Sequence, residues 1–192
     1  YSFILNDRPL SILAQPGAKE CCLELNSLSK AHNMAGWRIG MVAADAQVIS
    51  EILKVKSQMD SGMFKPLQLA AVQALAQGPE WFSQRNEEYR RRRVLAGRIF
   101  DLLGAEYDHN STGMFLWGRV GDLPEPPCHF EQPEGVGKSA GEQLSDRILH
   151  EAGVFITPGF IFGKNGEDYI RISLCAKPQV LEEAYERISA VM

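Results

Sequence analysis

The sequence predicts an α/β protein, and three features of it carry that reading. Short apolar runs, Cys21 to Leu25 and Ile39 to Ala44, flank a polar stretch from Ser27 to Gly40 and read as buried strands joined by a loop. A long middle region, Asp45 to Leu103, has helical periodicity with turn residues at its breaks. Beyond Gly104 the pattern changes to short strands alternating with helices, as expected for a small domain in which helices cover a sheet.

Taken in order, Tyr1 to Leu5 resembles the end of a strand entering a polar turn at Asn6 and Asp7. After the second apolar run, Asp45 is placed to cap a helix through Met59, with Val48, Ile49, Ile52, Leu53 and Val55 on its apolar face. Asp60-Ser61-Gly62 breaks that helix. Pro66 suits the first position of a second helix, which runs to Gln77 and stops at Gly78. Pro79 opens a third, longer helix through Leu103, ended by Gly104. Its run Arg90 to Arg93 spreads around the helix at roughly 100° per residue and cannot form one patch. With Glu87 and Glu88 at helix-neighbour spacing, it reads as a solvated, salt-paired surface.

In the last part, Gly113 to Val120 is expected to be a strand and Gly121 to Gly137 a Pro- and Gly-rich loop. Ser139 to Ala152 follows as an amphipathic helix carrying Leu144, Ile148 and Leu149. Val154 to Thr157 is a strand, Gly159 to Gly166 a loop, Tyr169 to Cys175 a strand, and Pro178 to Met192 the closing helix. The boundary between the two parts is expected near Gly78, giving segments 1–78 and 79–192.

Composition excludes several classes of function. A formal charge of −4 offers no reason to propose nucleic acid or an anionic membrane as partner. No apolar run approaches membrane-spanning length and no signal peptide is evident. Cys21, Cys22, Cys128 and Cys175 lack metal-ligand spacing. Adjacent strand residues point to opposite faces, so Cys21 and Cys22 read as free core thiols of a reducing, cytoplasmic protein. Histidines 32, 109, 129 and 150 form no constellation, and His32 reads as packing near the site.

The chemistry concentrates in Ser27 to Gly40. Lys30 stands among two hydroxyl residues, Ser27 and Ser29, and Arg38 follows eight positions later. A lysine amine condenses with an aldehyde to form a Schiff base, provided its pKa, about 10.4 unperturbed, is lowered by a dry pocket or a second cation. Hydroxyls and a guanidinium fork suit a phosphate. An aldehyde and a phosphate on one small molecule point to pyridoxal 5'-phosphate.

The stretch resembles the cofactor-lysine signature of class I/II aminotransferases, fold type I pyridoxal-phosphate enzymes, at Ser27, Ser29, Lys30, Asn33, Met34, Gly36, Arg38, Ile39 and Gly40. Lys56 to Phe64 looks like the interface segment of the alanine and diaminopimelate aminotransferase branch. Thr157-Pro158-Gly159, Phe162-Gly163 and Tyr169-Ile170-Arg171-Ile172-Ser173 look like the family's C-terminal carboxylate-binding region. The resemblance implies the C-terminal part of the large cofactor domain plus the small α/β domain. It also implies a homodimer using an amino acid and a 2-oxo acid. By the same resemblance Lys30 is catalytic and carries the cofactor, Arg38 with Ser27 and Ser29 anchors its phosphate, and Tyr1 hydrogen-bonds its ring oxygen. Arg171 grips the substrate's α-carboxylate. The family's aspartate that pairs with the pyridinium nitrogen would precede Tyr1. The expectation is therefore the C-terminal half of a longer enzyme, not competent alone. A carbon–sulfur lyase or cyclopropane-forming synthase of the same fold, an effector domain of a transcription regulator, and a purely structural fragment stay open as alternatives.

Overall fold

The computed structural model describes residues 4–6, 8–121 and 137–192. The expected loop beyond Gly121 therefore lies outside the described residues for 122–136, as do Tyr1, Cys128 and His129. The chain forms two compact units, 1–86 and 87–192.

The first unit opens with a 3-10 turn at Ile12–Ala14 and a short helix, α1 (Ala18–Cys21). Strand β1 (Glu24–Ser27) runs directly into a single helical turn, α2 (Leu28–Ala31). A 3-10 turn at Ala35–Trp37 leads to β2 (Gly40–Ala43), which pairs antiparallel with β1 in a register that sets Ser27 opposite Gly40. Gly40 is required there, because a Cβ would stand 2.7 Å from the backbone oxygen of Asn26. Leu28, Met34, Ile39 and Ala71 form a small buried cluster, with Ala70 and Ala74 packed against it.

Helix α3 (Ala46–Met59) starts where Asp45 predicts, its carboxylate accepting from the Gln47 N–H at 2.8 Å. The apolar stripe of this helix is largely open: Leu53 and Val55 are 57% and 64% exposed. Helix α4 (Lys65–Leu75) carries its proline in the first turn. Helix α5 (Pro79–Leu102) then runs unbroken for 24 residues, and Gly104 follows with φ +64°, a left-handed value that glycine reaches without steric penalty.

The second unit is built on a four-stranded antiparallel sheet in the order β3-β4-β6-β5. Its strands are β3 (Ala105–Tyr107), β4 (Phe115–Val120), β5 (Thr157–Pro158) and β6 (Tyr169–Ser173). Between β4 and β5 lies α6 (Ala140–Ala152), whose first turn is capped by Ser139 and whose end is Gly153 at φ +66°. Two 3-10 turns, Gly159–Phe162 and Lys164–Gly166, join β5 to β6, and α7 (Pro178–Ser189) closes the chain. Phe100, Leu116, Leu144, Ile148, Ile170, Leu174 and Ile188 are buried almost completely and form the core. Burying a side chain of this kind contributes about 1.5–3 kcal/mol, so this group alone outweighs any surface ion pair of the unit.

Three expectations change. The strand placed at Val154 to Thr157 is only Thr157–Pro158, because β6 offers it just Ile170 and Arg171 as partners. The basic run of α5 is salt-paired at Arg90–Glu87 (3.2 Å) and Arg92–Glu88 (2.9 Å), yet it is not wholly solvated. Arg92 also donates to the carbonyl of Leu174 at 3.1 Å, and Arg93 to that of Ser111 at 2.7 Å, satisfying loop carbonyls that no strand pairs. Cys21 and Cys22 are not core thiols on a strand. Cys21 ends α1 and is exposed, and Cys22 caps the helix half-buried, so pleat alternation does not apply.

Candidate active site

The turn carrying Lys30 is held from both ends. Ser27 has extended backbone and acts as the N-cap of α2, its hydroxyl oxygen accepting from the Ser29 N–H at 3.1 Å. Its hydroxyl hydrogen is directed to the Ser29 hydroxyl at 2.9 Å, with the Ile39 carbonyl as a second acceptor at 3.4 Å. Leu28 and Ala31 face inward, 5% and 6% exposed, while Lys30 faces outward. One helical turn thus separates a buried floor from an exposed amine and two hydroxyls.

Arg38 sits at φ +52°, a left-handed conformation that a residue with a Cβ adopts at a cost of about 1–2 kcal/mol. Asn33, at φ +54°, does the same within this loop. Two such residues between Lys30 and β2 turn the chain sharply and bring Arg38 out of the strand. Arg38 donates one hydrogen bond, to the Ala35 carbonyl at 3.0 Å, and is exposed. Two adjacent hydroxyls and a guanidinium on one exposed loop match the acceptor-rich surface of a phosphate, so this donor set fits the group expected from the sequence.

Sequence reasoning missed the support beneath this turn. Arg85 of α5 is buried and donates to the Ala31 carbonyl from Nη1 and to the Asn86 side-chain oxygen at 3.0 Å. Its guanidinium lies over the rings of Trp81 and Phe82, at 5.3 and 5.1 Å from their centroids. His32 stacks on Trp81 at 5.7 Å and meets Phe82 edge-on at 5.4 Å. Burial, and secondarily the charge of Arg85, push the His32 pKa below its usual value. The available signal was Trp81 and Phe82, four and three residues before Arg85, one helical face of two rings and a cation.

Arg171 belongs to the second unit. Its neighbours Ile170 and Ile172 are buried on the opposite face of β6, 0% and 7% exposed, as strand alternation requires. Across the ladder it pairs with Trp117 on β4 and Thr157 on β5. Its guanidinium lies 4.1 Å from the ring centroid of Phe162 and 4.5 Å from that of Phe115. Nε is buried without a hydrogen-bond partner among the described residues. Two aromatic faces fix the plane of the fork, and an unsatisfied buried N–H favours an anionic acceptor. The sequence placed Phe162 in the carboxylate-binding region by resemblance, but gave neither ring a role at Arg171.

The sequence matches the family "Aminotransferase class I and II" over residues 7–188. It is 39% identical over 186 residues to an LL-diaminopimelate aminotransferase of Oleidesulfovibrio alaskensis, covering 97% of this chain and 44% of that protein. A second LL-diaminopimelate aminotransferase, from Natranaerobius thermophilus, is 37% identical over 98% of the chain and 45% of its own length. Among solved structures, an aromatic aminotransferase from Pyrococcus horikoshii superposes with a TM-score of 0.79 at 30% identity, covering 98% of this chain and 48% of that one. Apo BacF of Bacillus subtilis gives the same TM-score and identity over 98% of this chain and 47% of its own. The chain spans less than half the length of these relatives. Its sequence match and its fold agree, and the chain belongs to the class I and II aminotransferases, with the fold type I architecture.

Proposed function

We propose that the enzyme to which this chain contributes moves an amino group between an L-amino acid and a 2-oxo acid with pyridoxal 5'-phosphate as cofactor. The observation that carries the reading is the Ser27-capped turn, which exposes Lys30 one residue after Ser29, whose hydroxyl lies 2.9 Å from that of Ser27. Ser27, Ser29 and Arg38 bind the cofactor phosphate, and Lys30 holds the cofactor through Nζ. When bound, that cofactor supplies an electron sink for the charge released at the substrate's α-carbon. Lys30 Nζ takes the α-proton and returns it, acting as general base and then acid. Arg171 binds the α-carboxylate through its fork, with Phe115 and Phe162 restricting rotation, so the contribution is one of orientation. Tyr1, outside the described residues, is assigned the cofactor ring oxygen by family resemblance.

For the donor, LL-diaminopimelate is the first candidate, since relatives at 39% and 37% identity carry that name. A homodimer is inferred for the whole enzyme, supported by Met59 and Phe64, 76% and 69% exposed in the segment that resembles the family's interface. Product analysis of the whole enzyme tests the reaction, with LL-diaminopimelate, alanine, aspartate and a thioether amino acid offered beside a 2-oxo acid. Amino transfer from at least one of the first three is expected. Release of a thiol from the thioether substrate without amino transfer would replace this reading with a lyase.

A further inference from the structure

The junction of α1 and β1 holds two thiols side by side. Cys21 is the last residue of α1, and Cys22, its C-cap, has already turned extended at φ −117° and ψ 152°. That change of backbone between neighbours swings both side chains to one side, and their Sγ atoms lie 3.8 Å apart with a thiol hydrogen between them. Cys21 Sγ is also within 3.8 Å of the Gly17 carbonyl, which holds it at the helix end. Both side chains reach solvent.

The pair is ill suited to a direct disulfide. Bridged cysteines usually have Cα atoms about 4.4–6.8 Å apart, whereas neighbours across a trans peptide are held at about 3.8 Å. It is also a poor metal centre, since no group of three or more His, Cys, Asp or Glu gathers among the described residues. The hydrogen bond shared with Cys21, then burial, then the charge of Cys21 raise the pKa of Cys22, which keeps that thiol protonated at neutral pH. What the geometry accommodates is one atom inserted between the sulfurs.

We propose that Cys21 and Cys22 form a dithiol site for a trivalent organoarsenical. Each S–H bond breaks as an As–S bond forms, and each thiol hydrogen leaves with one hydroxyl of the arsonous acid as water. Arsenic stays trivalent, and no oxidant is needed. A single thiol cannot close this ring. Cys175, whose near sulfur neighbour is the thioether of Met114 at 3.7 Å, has no second thiol beside it among the described residues.

The test uses 4-aminophenylarsine oxide, which hydrates to the arsonous acid, with binding measured in the presence of a monothiol competitor. One arsenical per chain is expected, released by a dithiol and not by the monothiol. Loss of the chelate in Cys21→Ser or Cys22→Ser should weaken binding roughly a hundredfold or more, while Cys175→Ser and Cys128→Ser bind as the parent does. Mapping of alkylation-protected thiols in the parent protein gives a readout that needs no variant: protection must fall on Cys21 and Cys22 together. Protection elsewhere, or equal retention in both serine variants, overturns the site.

Discussion

Arg85 on α5 donates a hydrogen bond from Nη1 to the carbonyl oxygen of Ala31, the residue after Lys30, across 54 positions of sequence. The long helix thereby fixes the end of the turn whose beginning Ser27 fixes. Losing a charged donor to a buried carbonyl typically costs about 1.5–3 kcal/mol. Arg85→Ala is therefore expected to lower stability by about that amount in urea unfolding. Arg85→Lys should recover only part, because an ammonium cannot lie flat over Trp81 and Phe82 while reaching Ala31. Full recovery by lysine would show that charge alone matters.

Lys30 is expected to be the residue trapped when the whole enzyme, loaded with pyridoxal 5'-phosphate, is reduced with borohydride. Lys30→Ala should lose both the adduct and turnover. Peptide mapping decides the matter, and an adduct on Lys54 or Lys56 would sink the assignment.

For Arg171, substitution by alanine should lower kcat/KM for every amino-acid substrate by one to several powers of ten, since truncating a buried charged partner costs about 2–5 kcal/mol. Cofactor absorbance should be unchanged. Amines that lack a carboxylate serve as the control, and an equal loss with them would remove Arg171 from carboxylate binding.

His32 gives a pH dependence of known sign. Its folded pKa is depressed below the ordinary histidine value of about 6.5, first by burial and then by Arg85. The unfolded chain therefore binds the proton more readily. Stability from the neutral ring is complete above about pH 6.5 and falls as pH drops through the window between the unfolded and folded values. Urea midpoints at pH 7.5 and 5.5 should differ less in His32→Phe than in the parent. An unchanged difference would mean that other groups carry the acid sensitivity.

Gly40→Ala should destabilise the first unit, because its Cβ would stand 2.7 Å from the Asn26 oxygen across the β1–β2 ladder, where backbone must move. Gly36→Ala, with no atom within 4 Å of its Cβ position, is the matched control. Similar thermal midpoints for the two variants would contradict the close approach.

The sequence made legible those features that depend on neighbours in the chain. Asp45 and Gly104 mark helix ends because capping is local, and Ile170 and Ile172 mark the face of β6 because pleating is local. Lys30, Arg38, Ser27 and Ser29 could be named together for the same reason. Arg85 could not, since its acceptor is a backbone carbonyl that no residue pattern announces. Phe162 lies on a 3-10 turn between strands, where no period predicts direction. The Cys21–Cys22 pair was misread because an alternation valid for strands was applied across a helix end.

The ladder that places Trp117 opposite Arg171 also gives the second unit an optical label. Trp117 is 36% exposed and meets Phe162 edge-on at 5.2 Å and Tyr169 at 6.2 Å. The other two tryptophans, Trp37 and Trp81, lie in residues 1–86. With those two replaced by phenylalanine, emission would arise from Trp117 alone. An anion drawn to Arg171 would alter the field around that indole and the seat of Phe162 beside it. Ligand occupancy of the guanidinium could then be followed by intrinsic fluorescence, without turnover and without a dye.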